Sequence, residues 1–122
     1  MLRTAILAVV LLVSSQALAF EKYSWVWEQA SWYGESFEGR TMANGELFDP
    51  KQIETAAHKS LPFGTIVLVK NVEKNRELTV VIKDRGPFVS GRAFDLSKAG
   101  AEYLGYLKQG VIMLQVKILF QP

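Results

Sequence analysis

The chain of 122 residues contains no cysteine. That absence excludes a disulfide framework, a thiolate zinc site and a thiol nucleophile. It contains one histidine, His58, so a histidine-rich metal cage is excluded as well. Charge of one sign is also scarce: 14 Lys and Arg against 12 Asp and Glu give a formal net charge of +2. That balance is too small and too evenly spread for a dedicated nucleic-acid-binding face. There is no Gly-x-Ser-x-Gly elbow for a serine hydrolase, and no Gly-Lys-[Ser/Thr] follows Gly34 and Gly39 to make a phosphate loop.

Hydrophobic residues make up 49% of the chain, yet the unbroken apolar run at residues 5–13 is far short of the ~20 that span a bilayer. Arg3 precedes that run, Ser14-Ser15-Gln16 follows it, and Ala17-Leu18-Ala19 places small residues where a signal peptidase reads. Residues 1–19 are therefore expected to be a secretory signal peptide cut after Ala19. With no cysteine after the run, lipidation is not expected, and the location expected is periplasmic or secreted without a membrane anchor. The remaining 103 residues suit one domain that depends on its own core.

Residues 20–29 (FEKYSWVWEQ) read as an N-terminal arm or a first strand, and residues 30–122 as the domain. Turn residues then recur at Gly34, Gly39, Asn44-Gly45, Asp49-Pro50 and Pro62-Phe63-Gly64. Residues 65–70 (TIVLVK) and 78–83 (LTVVIK) are β-branched runs joined by a short polar link, which predicts a hairpin. Residues 97–107 form the one persuasive helix, with Asp95 or Ser97 as its cap and Gly110 past its end. Residues 111–120 alternate Ile112, Leu114, Val116 and Ile118 against Met113, Gln115, Lys117 and Leu119, which predicts a long final strand. The pattern is mainly β, a small barrel or sandwich.

Without thiol or metal chemistry, the reactive groups are carboxylates. Glu46 and Asp49 follow the Asn44-Gly45 turn, Asp84 ends a strand, and Asp95 precedes the helix. Carboxylates act as general acids or bases when burial or a like charge raises one pKa, and glycoside cleavage uses such groups. Each also has a plainer role: Asp95 as a helix cap, Asp84 as an acceptor of turn amides, Glu46 and Asp49 as solvated loop charges, His58 as a structural hydrogen-bonder. Trp32 and Tyr33 are adjacent in a strand, so one faces the core and the other is available to stack on a sugar.

Five blocks occur in order: Ala30-Ser31-Trp32-Tyr33-Gly34; Thr41 with Ala43-Asn44-Gly45-Glu46; Thr55-Ala56-Ala57-His58-Lys59-Ser60-Leu61-Pro62-Phe63-Gly64-Thr65; Asp84-Arg85-Gly86-Pro87-Phe88; and Asp95-Leu96-Ser97. Together they resemble the RlpA-like (rare lipoprotein A) double-psi β-barrel family. The resemblance implies a six-stranded double-psi barrel with one or two short helices and a glycan-binding groove. It further implies a lytic transglycosylase that cuts peptidoglycan between N-acetylmuramic acid and N-acetylglucosamine, leaving a 1,6-anhydro end. By that resemblance Asp84 and Asp95 are the groove carboxylates, in either order. Glu46, Asp49 and His58 are their catalytic partners, and Trp32, Tyr33, Asn44, Arg85 and Phe88 contact substrate. No cofactor or metal is implied; the partner is the glycan strand, not nucleic acid, and a monomer is expected. Two features depart from the family pattern, the missing lipid-acceptor cysteine and Met42 between Thr41 and Ala43. The alternative is a non-catalytic wall-binding or expansin-like wall-loosening module on the same barrel.

Overall fold

In a computed structural model, residues 24–122 are described. Six strands and one α-helix follow in order: β1 (Val26–Tyr33), β2 (Thr55–His58), β3 (Ile66–Asn71), β4 (Arg76–Asp84), β5 (Arg92–Ser97), α1 (Lys98–Leu104) and β6 (Ile112–Phe120). A single turn of 3-10 helix at Glu35–Phe37 precedes β2. The strands close into a barrel in the order β1-β5-β2-β4-β3-β6. The pairs β1–β5 and β2–β4 are parallel and the other four antiparallel. The six-stranded, mainly β barrel with short helices agrees with the sequence expectation. The expected leader at 1–19 and residues 20–23 lie outside the described residues. Residues 26–29, the last four of the expected arm, are strand: Val26 pairs with Val116 and Glu28 with Leu114 of β6.

The period-two rule explains the strands that were legible. Val67 and Val69 of β3, Val80 and Ile82 of β4, and Leu114 and Val116 of β6 turn inward and are buried. Met113 on β6 turns to solvent. Phe94 and Leu96 of β5 and Ala30 of β1 complete the interior, with Ala101 and Leu104 of α1 packed against the same cluster. The expected hairpin is present, β3 and β4 pairing from Ile66↔Val81 to Asn71↔Arg76, with Asn75 at φ 50° in the turn.

The helix is shorter than its sequence suggests. Ser97, not Asp95, caps it: the Ser97 hydroxyl accepts the Gly100 amide at 3.1 Å. Gly105 ends it in the left-handed region at φ 80°, with its own amide on the Ala101 carbonyl at 2.8 Å and that of Tyr106 on the same carbonyl at 3.0 Å. The expected stop at Gly110 is therefore corrected to Gly105. Side chains of the β3–β4 hairpin take the last carbonyls: Asn71 Nδ2 donates to Leu104 at 2.7 Å, Arg76 Nη1 to Tyr103 at 2.9 Å, and Lys74 Nζ to Gly105 at 2.6 Å. Two cations on a helix C-terminus also suit its dipole.

A second, smaller core lies outside the barrel, where Tyr33, Met42 and Phe48 close over Ala57 of β2. The Tyr33 and Phe48 rings stack at 4.2 Å, and Tyr33 OH lies 3.9 Å from Met42 Sδ. Met42, the departure from the family block, is thus a packing residue of the 34–54 connection. That connection is folded back on itself by the Asn44-Gly45 turn, where Met42 N donates to Glu46 O at 2.8 Å.

Tyr106, which follows the helix cap, is fully buried and donates its hydroxyl to the Ser31 carbonyl at 3.0 Å. Removing that donor leaves a buried carbonyl unsatisfied, at a cost of about 1–3 kcal/mol. Tyr106→Phe is expected to lower the unfolding free energy by that amount, read as a lower urea midpoint with an unchanged m-value. An unaltered midpoint would show that water or a rearranged neighbour takes the donor's place.

Candidate active site

β2 has four residues, three of them small, and it lies between β4 and β5. Ala57 is in register with Asp84 on one side and with Asp95 on the other. Strand spacing of ~4.8 Å puts the two aspartate backbones roughly 10 Å apart across Ala57. Both acids and Ala57 line one groove of about 690 Å³. Ser31, Trp32 and Tyr33 line it from β1, and Arg85 and Phe88 from the segment after β4.

Asp95 is half-buried and in register with Ser31 of β1. The Ser31 hydroxyl donates to Asp95 Oδ1, and the Ser31 backbone is the one held by Tyr106. Burial pushes the Asp95 carboxyl above the ordinary carboxylate range; the Ser31 hydrogen bond and the Arg92 charge oppose this, and the Asp84 charge adds to it. Asp84 is held differently. Its Oδ1 accepts the Ala43 amide at 2.9 Å and the Arg85 amide at 2.8 Å, so both contacts come from backbone donors. One acid is therefore desolvated and held by a hydroxyl, while the other is an acceptor fixed by two amides.

Of the aromatic residues, Tyr33 is buried under Phe48, and its hydroxyl is raised well above its usual pKa, first by burial and then by the charges of Asp84 and Asp95. Trp32 packs partly on the barrel core and still reaches the groove, so both adjacent aromatics contribute to it. Phe88 is 82% exposed on the rim, an apolar face presented to solvent. Arg85 lines the groove, but its Nη1 donates to the His58 carbonyl at 3.0 Å and the Leu61 carbonyl at 2.8 Å, and its guanidinium lies 4.0 Å from the Phe63 ring centroid.

Asn44, Glu46, Asp49 and His58 do not line this groove. Asn44 Nδ2 donates to Glu46 Oε2 at 2.7 Å, and the Glu46 carboxyl is held below its usual value first by that bond and then by the Lys83 charge. Asp49 Oδ1 accepts the Lys51 amide at 2.9 Å, an Asx turn. These three shape the connection that delivers the Ala43 amide to Asp84. His58 lines a separate cavity of about 240 Å³ with Glu28, Leu61 and Phe94. Its Nδ1 accepts the amides of Ser60 at 3.1 Å and Leu61 at 3.0 Å.

Sequence reasoning passed over Ser31, Arg92 and the Lys98–Glu35 pair, whose 2.7 Å contact edges the groove. Ser31 shares the strand face of Tyr33 by simple alternation, which is the signal that could have found it. Among the described residues no three His, Asp or Glu side chains cluster to hold a metal ion.

A family model described as "Lytic transglycolase" matches residues 28–116. The chain is 48% identical over 90 residues to "Probable endolytic peptidoglycan transglycosylase RlpA" of Aquifex aeolicus, a match covering 74% of this chain and 39% of that protein. It is 42% identical over 90 residues to "Endolytic peptidoglycan transglycosylase RlpA" of Campylobacter jejuni, covering 74% and 32%. The chain thus matches about a third of the length of these relatives. Among solved structures, the "Streptomyces papain inhibitor (SPI)" superposes with a TM-score of 0.64 at 21% identity, over 80% of this chain and 96% of that one. That likeness concerns the fold alone.

His58 is kept neutral: burial, then the charges of Arg85 and Lys59, lower its pKa from the ordinary 6.5. The unfolded chain takes up the proton first as pH falls through 6.5, so this contribution to stability is full above 6.5 and is lost as pH falls toward the folded value. Unfolding free energy measured between about pH 7.5 and about pH 5 is expected to fall more steeply for the wild type than for His58→Asn. Equal slopes would show that the imidazole protonates as readily folded as unfolded.

Proposed function

The chain belongs to the RlpA-like family of double-psi β-barrels, and from that premise we propose that it cleaves peptidoglycan glycan strands as a lytic transglycosylase. The observation that carries the reading is the placement of Asp84 and Asp95 on either side of Ala57 in one groove walled by aromatic rings. Such a groove suits a polymer whose sugar faces are apolar and whose glycosidic oxygens need a proton. The substrate lies outside the cytoplasm, consistent with the leader read at residues 1–19. No helix among the described residues is long and apolar enough to cross a membrane.

Asp95 is assigned as the acid because burial favours its protonated form. It gives its proton to the oxygen between muramic acid C1 and the departing glucosamine, and that C–O bond breaks. Positive charge develops at C1 and the ring oxygen, where the Asp84 carboxylate stabilises it. The muramyl C6 hydroxyl then bonds to C1 and returns its proton to the Asp95 carboxylate, giving the 1,6-anhydro ring. The enzyme ends in its starting protonation state, and neither water nor an enzyme nucleophile enters.

Of the groove's cations, Arg85 is committed to two carbonyls and Lys98 to Glu35. Arg92 has no ion pair among the described residues, so it is the cation available to a lactyl carboxylate of the glycan. A charge-assisted contact of that kind is worth about 1.5–3 kcal/mol. Arg92→Gln is therefore expected to raise KM for strands with free lactyl carboxylates by roughly tenfold or more, and to raise the Asp95 pKa further by removing the charge that opposes its shift. An unchanged KM would remove Arg92 from the binding surface.

The direct test incubates the purified protein with intact and with amidase-treated peptidoglycan and identifies products by mass spectrometry. Anhydro-muramyl products are expected, falling by ~10²-fold or more in Asp95→Asn and also lost in Asp84→Asn. Binding to sacculi with no new products from either substrate would replace the enzyme reading with a wall-binding module.

A further inference from the structure

His58 lies outside the groove, yet it is the last residue of β2, whose preceding residue separates the two aspartates. Its contacts run toward both acids. On one side, its Nδ1 accepts the Ser60 and Leu61 amides at 3.1 and 3.0 Å, closing the 58–61 turn on a single ring nitrogen. A nitrogen that accepts two N–H groups carries no proton, which leaves the other ring nitrogen as the protonated one. The closed turn presents the His58 and Leu61 carbonyls to Arg85 Nη1 at 3.0 and 2.8 Å. Phe63, just past the turn, supplies the ring on which the Arg85 guanidinium rests. Arg85 in turn donates its backbone amide to Asp84 Oδ1. On the other side, the His58 ring packs against Phe94 at 4.9 Å, and Phe94 is the strand neighbour of Asp95.

We propose that His58 is a positioning residue: through its Nδ1-capped 58–61 turn it seats Arg85 and thereby fixes the Asp84 carboxylate that faces the groove. It exchanges no proton with substrate. The proposal deepens the transglycosylase reading and rests on it only for its catalytic consequence, since the coupling from His58 to Asp84 is structural. A neutral imidazole has one acceptor, and here that acceptor is occupied by the turn. A role in proton transfer would require Nδ1 to leave both amides. The Arg85 side chain would lose its two carbonyls with them, since the same turn supplies both.

Asparagine and glutamine separate the two roles. Asn places its Oδ1 where Nδ1 stands and can cap the turn as an Asx acceptor, whereas Gln reaches further and Leu offers no acceptor. Neither amide carries a proton that titrates near neutrality. His58→Asn, His58→Gln, His58→Leu and Arg85→Lys are compared by glycan release and by ¹H–¹⁵N spectra, following the Ala43 and Arg85 amides that donate to Asp84 Oδ1. His58→Leu is expected to shift both amide signals and to lower kcat by at least about tenfold, with KM nearly kept. His58→Asn is expected to restore both the shifts and most of kcat, and His58→Gln much less of either. Arg85→Lys is expected to reproduce the His58→Leu shifts, and the double variant to be no worse than the poorer single one.

If His58→Asn is as impaired as His58→Leu while the two amide signals stay at their wild-type positions, the imidazole acts by its own proton and the proposal is overturned. Unmoved amides in His58→Leu overturn it as well. Where His58→Leu does not fold, the contrast of Asn with Gln, together with Arg85→Lys, decides the same question. A wild type that releases nothing, while the amide shifts follow the expected order, overturns the transglycosylase reading and leaves the coupling established.

Discussion

Everything in the groove depends on how β2 is paired. A strand of four residues, Thr55–His58, is hydrogen-bonded on both sides, parallel to β4 and antiparallel to β5. Its neighbours each carry one aspartate, and Ala57 is the residue in register with both. Separation between the acids is therefore set by two strand spacings, with a register shift between Ala56 and Ala57 that brings Asp84 rather than Lys83 opposite Ala57. The small side chain at 57 lets Tyr33, Met42 and Phe48 pack over the ladder while Ala57 still borders the groove. Closure of the barrel matters for the same reason: with no free edge, the register of β2 has no alternative partner to slip onto.

Around that frame, the two acids are tuned by different means. Asp95 sits in a partly desolvated position opposite Ser31, and the Ser31 backbone is anchored by a buried tyrosine from beyond the helix. Asp84 is fixed by amides, one of them delivered by the 34–54 connection through the Ala43 N–H. The Asn44–Glu46 bond, the Asp49 turn and the Tyr33–Met42–Phe48 cluster all serve to hold that connection against the barrel. Residues whose sequence positions suggested direct chemistry thus divide into two groups. Asp84 and Asp95 face the groove, while Glu46, Asp49 and His58 hold the segments that keep them there.

The same division explains what was legible from sequence. β3, β4 and β6 face the core on one side only, so Val67/Val69, Val80/Ile82 and Leu114/Val116 alternate with residues that are half-buried or exposed. β2 shows no alternation because Thr55, Ala56 and Ala57 are all buried: Ala56 faces the barrel interior and Ala57 lies under Tyr33, Met42 and Phe48. A strand covered on both faces and built of small residues carries no periodic signal. β5 was hidden by its continuity with α1, since Asp95 and Ser97 both suit a helix cap and only the Gly100 amide on the Ser97 hydroxyl shows that Ser97 takes that place. The two strands flanking Ala57 at the site were thus unequally readable, and the strand between them was silent. The family blocks marked the acids nonetheless, but could not say which of the marked residues share a surface.

The most direct measurement is a crystal structure of Asp95→Asn with a muramic acid-containing tetrasaccharide that spans the groove. A glycosidic oxygen is expected in the groove between the two acid positions, within about 3.2 Å of the side chain at position 95, with the adjoining sugar ring against the Asp84 side. A glycan seated instead in the cavity beside His58, or bound with its glycosidic oxygens out of reach of both positions 84 and 95, would contradict it.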